Sequence, residues 1–87
     1  MNKFYYVYIL RSDKDGNFYV GYTDDIKRRL EEHNRGKISS TSNRTPLELI
    51  CWEGCLNQQD ATKREKYLKT AWGKRYIKNR LKQYLTG

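Results

Sequence analysis

Phe4-Tyr5-Tyr6-Val7-Tyr8-Ile9-Leu10, a polar run ending in Asp15-Gly16-Asn17, and Phe18-Tyr19-Val20-Gly21-Tyr22 form the stretch from which the fold is read. Residues 4–10 are aromatic, β-branched and aliphatic without polar alternation, which predicts a strand covered on both faces. Residues 18–22 are β-rich again, and the Asp-Gly-Asn segment between them is turn chemistry, so the two runs predict an antiparallel hairpin. Across a loop of even length, residues of opposite parity share a face, and Tyr8 and Tyr19 then project together. Two readings stay open for that pair: an aromatic contact that only packs, or two hydroxyls meeting in a site. Gly21 permits close approach of another backbone or of a substrate phosphate.

Downstream, Thr23, Asp24 and Asp25 supply capping oxygens and negative charge for a helix reaching about Arg35, where Gly36 stops it. Residues 36–46 are basic and polar with one apolar residue, Ile38, and predict a loop able to clasp a backbone. Residues 47–53 read as a third strand closed by Gly54. Asn57 with Asp60 can cap a second helix, expected to run to Trp72 and to stop at Gly73. Residues 74–85 predict a last helix with Ile77, Leu81 and Tyr84 on one side. The order strand, strand, helix, strand, helix, helix predicts an α+β domain, a small three-stranded, mainly antiparallel sheet flanked by helices.

With 87 residues the chain has room for one domain and a small core, so residues 1–87 are expected to form a single unit. Eighteen Lys and Arg against ten Asp and Glu leave a formal charge of +8. An excess of that size favours polyanions through long-range attraction and counterion release. No segment approaches the roughly 18 apolar residues of a membrane span, and no secretion signal is evident, which predicts a cytoplasmic protein with no membrane partner. Cys51 and Cys55 have no second ligand pair at zinc spacing and are expected to be reduced packing residues.

Polar side chains occur where apolar ones are expected. In the second helix Ala61, Leu68 and Trp72 fall within about 40° of one another at 100° per residue, and Glu65 lies on the same stripe. A carboxylate facing a sheet must be paired, protonated or bound to a cation, so Glu65 reads either as half of a structural ion pair or as a functional group. Arg29 and His33 lie one turn apart beside the apolar Ile26 and Leu30. His33 could be a satisfied, half-buried histidine, and Arg29 a surface partner of Glu31 or Glu32. All of these groups, however, belong to elements expected to pack around the same hairpin.

Tyr6-Val7-Tyr8, Tyr19-Val20-Gly21, the Arg29 to His33 helix and Glu65 in the next long helix together resemble the GIY-YIG nuclease superfamily, in particular its small single-domain bacterial members. The resemblance runs from about Phe4 to Leu85. It implies a metal-dependent endonuclease site on the sheet surface, with Tyr8 and Tyr19 beside the attacked phosphate and one of them forming the general base. It further implies that Arg29 holds the phosphate, that His33 is the histidine one turn later, and that Glu65 binds one divalent ion, Mg²⁺ or Mn²⁺. One carboxylate suffices for such an ion when waters and phosphate oxygens complete its shell. A tyrosine base must come down from a pKa of about 10, and reaching about 7 takes roughly 4 kcal/mol of phenolate stabilisation.

Departures from the family pattern are visible in the same residues. Tyr6 replaces the first motif glycine, valines replace both isoleucines, and Tyr22 stands where some members have lysine. The loop over residues 36–46 has no second histidine, and Asn79 is on the wrong side of its helix to serve as a late asparagine. The expected activity is hydrolysis of phosphodiester bonds in DNA, directed by structure in repair or recombination. The alternative is a nucleic-acid-binding module without turnover, and a third class is a domain that meets an acidic protein. Lys27, Arg28, Arg35, Lys37 and Arg44, with Gly21, are the expected backbone contacts, positioning DNA without reading bases.

Overall fold

A computed structural model describes residues 3–87. Its strands are β1 (Tyr5–Ser12), β2 (Phe18–Thr23) and β3 (Leu47–Cys55), and its helices are α1 (Ile26–Asn34), α2 (Gln58–Leu68), α3 (Ala71–Arg80) and the short α4 (Lys82–Thr86). β1 lies between β2 and β3 and pairs antiparallel with both. The α+β order expected from the sequence is the observed one, with the last helix divided in two at Leu81.

The hairpin has even loop length. Ser12 N–H donates to the Asn17 carbonyl at 3.0 Å, and Gly16 takes a φ of +72°, a left-handed conformation that glycine adopts without a Cβ penalty. Tyr8 is therefore paired with Gly21 and Leu10 with Tyr19, which puts both tyrosines on one face as neighbours on a diagonal. On that face Tyr8, Leu10 and Leu47 are buried, with Tyr19, Leu49 and Leu30 of α1 packed against them. On the other face Val7, Ile9 and Val20 meet Ala61, Leu68 and Ile77 of α2 and α3. β1 is thus covered on both sides, as its unbroken apolar run predicts. Cys51 and Cys55 are free thiols packed at the edge of this second cluster.

Two local expectations, the ends of β3 and of α2, are corrected, and the one for α1 holds. β3 continues through Gly54 rather than closing there; a Cβ on Gly54 would meet the Tyr6 ring at 3.2 Å, so the glycine makes room for a cross-strand aromatic. α1 begins at Ile26, with Asp25 as the cap whose side chain accepts from Arg28 N–H, and ends before Gly36, which adopts a φ of +74°. α2 ends at Leu68 instead of running to Trp72. Thr70 divides the two helices: its hydroxyl donates to the Tyr67 carbonyl at 2.7 Å and accepts from Gly73 N–H at 3.2 Å, closing α2 and capping α3. Gly73 is consequently inside α3, where a Cβ would lie 2.3 Å from Leu68 Cα and Tyr67 O. Trp72 falls off the apolar stripe and is 66% exposed.

Residues 36–46 do not form a free clasp. Ser12 Oγ donates to the Arg44 carbonyl at 2.6 Å, Asp13 N–H to the Pro46 carbonyl at 2.9 Å, and Arg44 Nε to Asp15 at 3.2 Å. Asn34 at the end of α1 holds both backbone groups of Leu47, accepting from its N–H at 2.8 Å and donating to its carbonyl at 3.0 Å. The loop is thereby fastened to the hairpin at one end and to α1 at the other.

Candidate active site

Gly21 decides how the site is built. The Tyr8 ring lies across it, so closely that a Cβ at position 21 would stand 2.3 Å from Tyr8 Oη and Cζ. The room at Gly21 is thus taken up by Tyr8 itself, whose hydroxyl is brought toward the β2 edge of the sheet.

There it meets α1. Tyr8 Oη lies 2.8 Å from His33 Nε2, and His33 Nδ1 lies 2.6 Å from Thr41 Oγ1. His33 and Thr41 are wholly buried, and Tyr8 is 2% exposed. The Tyr19 ring stands edge-on to the His33 ring, 5.0 Å between centroids, and 6.4 Å from the Tyr8 ring. Tyr19 is only partly buried and forms the more open side of the group.

Burial pushes the Tyr8 phenol up to about 12, with the Arg29 guanidinium opposing the shift and the neighbouring Tyr19 and Glu65 adding to it. Burial also lowers His33, helped by the positive charge of Arg29 and opposed by Glu32. Both effects favour the neutral imidazole, in which one ring nitrogen donates and the other accepts; a proton on Nδ1 lets it donate to Thr41 and accept the Tyr8 O–H at Nε2.

Arg29 pairs through Nη1 with Glu32 at 3.3 Å, while its Nε is buried with no hydrogen-bond partner among the described residues. A guanidinium with donors to spare beside Tyr8 suits a tetrahedral oxyanion, since a buried donor left unpaired costs about 1–3 kcal/mol and a charged one more. Glu65 is on the buried side of α2 between Ala61 and Leu68, with a side chain 21% exposed and paired to Lys69 at 3.1 Å. It is close enough to Tyr8 to disfavour a phenolate there.

Among the described residues no three His, Cys, Asp or Glu side chains converge, so no all-protein metal cage exists. A single partly buried carboxylate near Tyr8 nonetheless fits a Mg²⁺-like ion, which keeps several waters and takes phosphate oxygens as ligands. Among the described residues no helix is long and apolar enough to cross a membrane.

Tyr8, Tyr19, Arg29 and His33 are thus brought together, with Glu65 beside them. The expected backbone contacts are not. Arg28 is tied to Asp24 at 3.4 Å, Arg44 to Asp15 and the Phe18 carbonyl, and Lys27 faces an apolar groove beside Tyr6, Leu49 and Trp52. Arg35 is the C-cap of α1, and Lys37 is exposed with its N–H donating to the Glu32 carbonyl. Thr41 was invisible in the sequence. It is one hydroxyl in a polar loop, and only burial against His33 marks it.

The sequence matches the GIY-YIG catalytic domain over residues 4–80. It is 39% identical over 71 residues to a UPF0213 protein of Haloquadratum walsbyi, covering 80% of this chain and 79% of that protein. A UPF0213 protein of Streptococcus pneumoniae is 42% identical over 65 residues, covering 74% of this chain and 65% of that protein. The fold is similar to the solution NMR structure of a UPF0213 protein from Bacillus halodurans, with a TM-score of 0.54 and 32% identity over 85% of this chain and 81% of that one.

Proposed function

The chain belongs to the GIY-YIG family, and from that premise we propose that it is a divalent-metal-dependent endonuclease acting on phosphodiester bonds in DNA. The observation that carries the proposal is the buried line from Tyr8 through His33 to Thr41, with Arg29 and Tyr19 at its open end.

A standing Tyr8 phenolate would be costly. With the phenol pushed up to about 12, ionising it at pH 7 takes about 7 kcal/mol, more than the free side chain requires. The hydrogen bond to His33 offers a cheaper route. Tyr8 Oη accepts the proton of the attacking water while its own proton passes to His33 Nε2, so the positive charge ends on the imidazole and no phenolate accumulates. Thr41, accepting from Nδ1–H, holds the tautomer in which Nε2 is free to receive it. Arg29 binds the phosphate and balances the charge growing on its oxygens. Glu65 would hold the divalent ion, which when bound supplies Lewis-acid stabilisation of the phosphoryl oxygens.

A cleavage panel over single-stranded, duplex and branched DNA and over RNA, with Mg²⁺ or Mn²⁺, tests the reading. Metal-dependent product that Glu65→Ala and Arg29→Ala both abolish is the expected result, and full activity in either variant sinks the assignment. The Lys69 ammonium on Glu65 favours a second reading, a nucleic-acid-binding module without turnover. That reading requires salt-sensitive binding, no metal-dependent product, and binding indifferent to Glu65→Ala.

A further inference from the structure

The net charge of +8 is not spread along the chain. Residues 1–60 contain nine Lys and Arg and nine Asp and Glu, whereas residues 61–87 contain nine Lys and Arg and the single acid Glu65. The whole excess therefore sits on residues 61–87, the stretch that carries most of α2 and all of α3 and α4.

The ion pairs sharpen this asymmetry. Around α1, Asp24 takes both Lys3 and Arg28, and Glu32 takes Arg29. On α2 the only pairs among the described residues are Arg64 with Glu53 and Lys69 with Glu65. Lys74 and Lys78 of α3 are exposed and have no acidic partner among the described residues.

Their position connects them to the site. One depression beside the β2 edge is lined by Tyr19, Lys69 and Lys74, and the next along the same edge by Phe18, Arg44, Lys74 and Lys78. Phe18 and Lys74 belong to both, so the two are continuous. The path starts at Tyr19, passes the lysine that pairs with Glu65, and continues over two lysines one helical turn, or about 6 Å, apart.

We propose that a nucleic-acid strand leaves the site across the β2 edge past Lys69 and runs along α3, with its phosphates on Lys74 and Lys78 rather than on α1 and residues 36–46. The proposal rests on the reading of the site as phosphodiester-directed. Lysines without partners release condensed counterions when they meet phosphates; Lys27 and Lys37 are in no ion pair among the described residues either, but neither lines the depressions that reach Tyr19.

The experiment is a salt-resolved titration of fluorescein-labelled single-stranded and duplex oligonucleotides in EDTA, which separates binding from turnover. Lys74→Glu/Lys78→Glu is compared with Lys27→Glu/Lys37→Glu, an equal charge change on the α1 side. At about 100 mM salt the α3 pair is expected to raise Kd at least ~10-fold more than the α1 pair. Lys74→Gln/Lys78→Gln, which removes charge without reversing it, is expected to flatten the single-strand log K against log salt slope by about 1.4. Thermal melts of the variants exclude unfolding as the cause. An equal or larger loss in the α1 pair overturns the proposal. Cleavage by the wild type together with unchanged binding by the α3 variants also overturns it, leaving the nuclease reading intact; binding through α3 without cleavage in any divalent metal does the reverse.

Discussion

Tyr8 Oη and His33 Nε2 stand 2.8 Å apart across 25 residues of sequence, and both side chains are buried. The pair joins the middle strand of the sheet to the helix that carries Arg29. Tyr8→Phe keeps the ring and removes the hydroxyl, leaving Nε2 without its donor. The expected outcome is a loss of about 10²–10⁴ in cleavage rate with a stability loss of only ~1–2 kcal/mol. Single-turnover cleavage and urea denaturation measure the two, and an active Tyr8→Phe enzyme would remove the proton relay from the mechanism.

Thr41 touches no substrate in the proposed mechanism; it positions His33. Thr41→Val should cost ~1–2 kcal/mol in stability, because it leaves Nδ1–H unpaired in the interior. It should also lower kcat roughly 10–100-fold with little change in KM, as expected for a displaced catalytic group. Thr41→Ser, which keeps the hydroxyl, should restore most of the rate. Failure of serine to rescue would mean that the Thr41 methyl group, and not the hydrogen bond, matters.

Gly21 is expected to answer to Tyr8. In Gly21→Ala the new Cβ would overlap the tyrosine ring, so the ring must shift, at about 1–3 kcal/mol. A double-mutant cycle with Tyr8→Ala isolates the cause. In the Tyr8→Ala background Gly21→Ala should be nearly free. The same cost in both backgrounds would show that the glycine serves something other than the tyrosine.

The lowered His33 value makes stability depend on pH with a definite sign. Unfolded histidine takes up a proton near 6.5, while the buried imidazole stays neutral to lower pH, so between these values the unfolded state binds more protons. His33's contribution is therefore fully present above about 6.5 and is lost progressively as pH falls toward the folded value. Asp15 and Asp24, both held below 3.8 by hydrogen bonds and cations, add a separate loss only at more acid pH. Urea midpoints across about pH 5–8 should slope downward on the acid side for the wild type and be flatter for His33→Gln. Identical slopes would exclude His33 as the titrating group.

Most elements were legible because their signals are local. The apolar runs marked β1 and β2, the Gly16 turn set their parity, and Asn57 marked the start of α2 by capping its first N–H groups. A cap or a turn acts within four residues, and the chain carries that information in order. The 61–72 stripe failed for the complementary reason. Periodicity continued through Thr70, but a threonine hydroxyl that serves two helix ends at once competes with the α-helical ladder.

The candidate site divides along the same line. The chain by itself determined which residue types were available: two tyrosines on one sheet face, an Arg/His pair one turn apart, a glutamate on an apolar stripe, and an excess of positive charge. Only the tertiary structure decided what they touch. It seated Tyr8 over Gly21, buried Thr41 against His33, and turned the basic helices toward the β2 edge while Arg44 went to Asp15. Those relationships join residues eight to thirty apart or more, and they follow from how layers pack rather than from any periodicity along the backbone. The tyrosine triplets were readable one strand at a time, but the pKa of Tyr8 is a property of the packed interior, because desolvation exists only after burial.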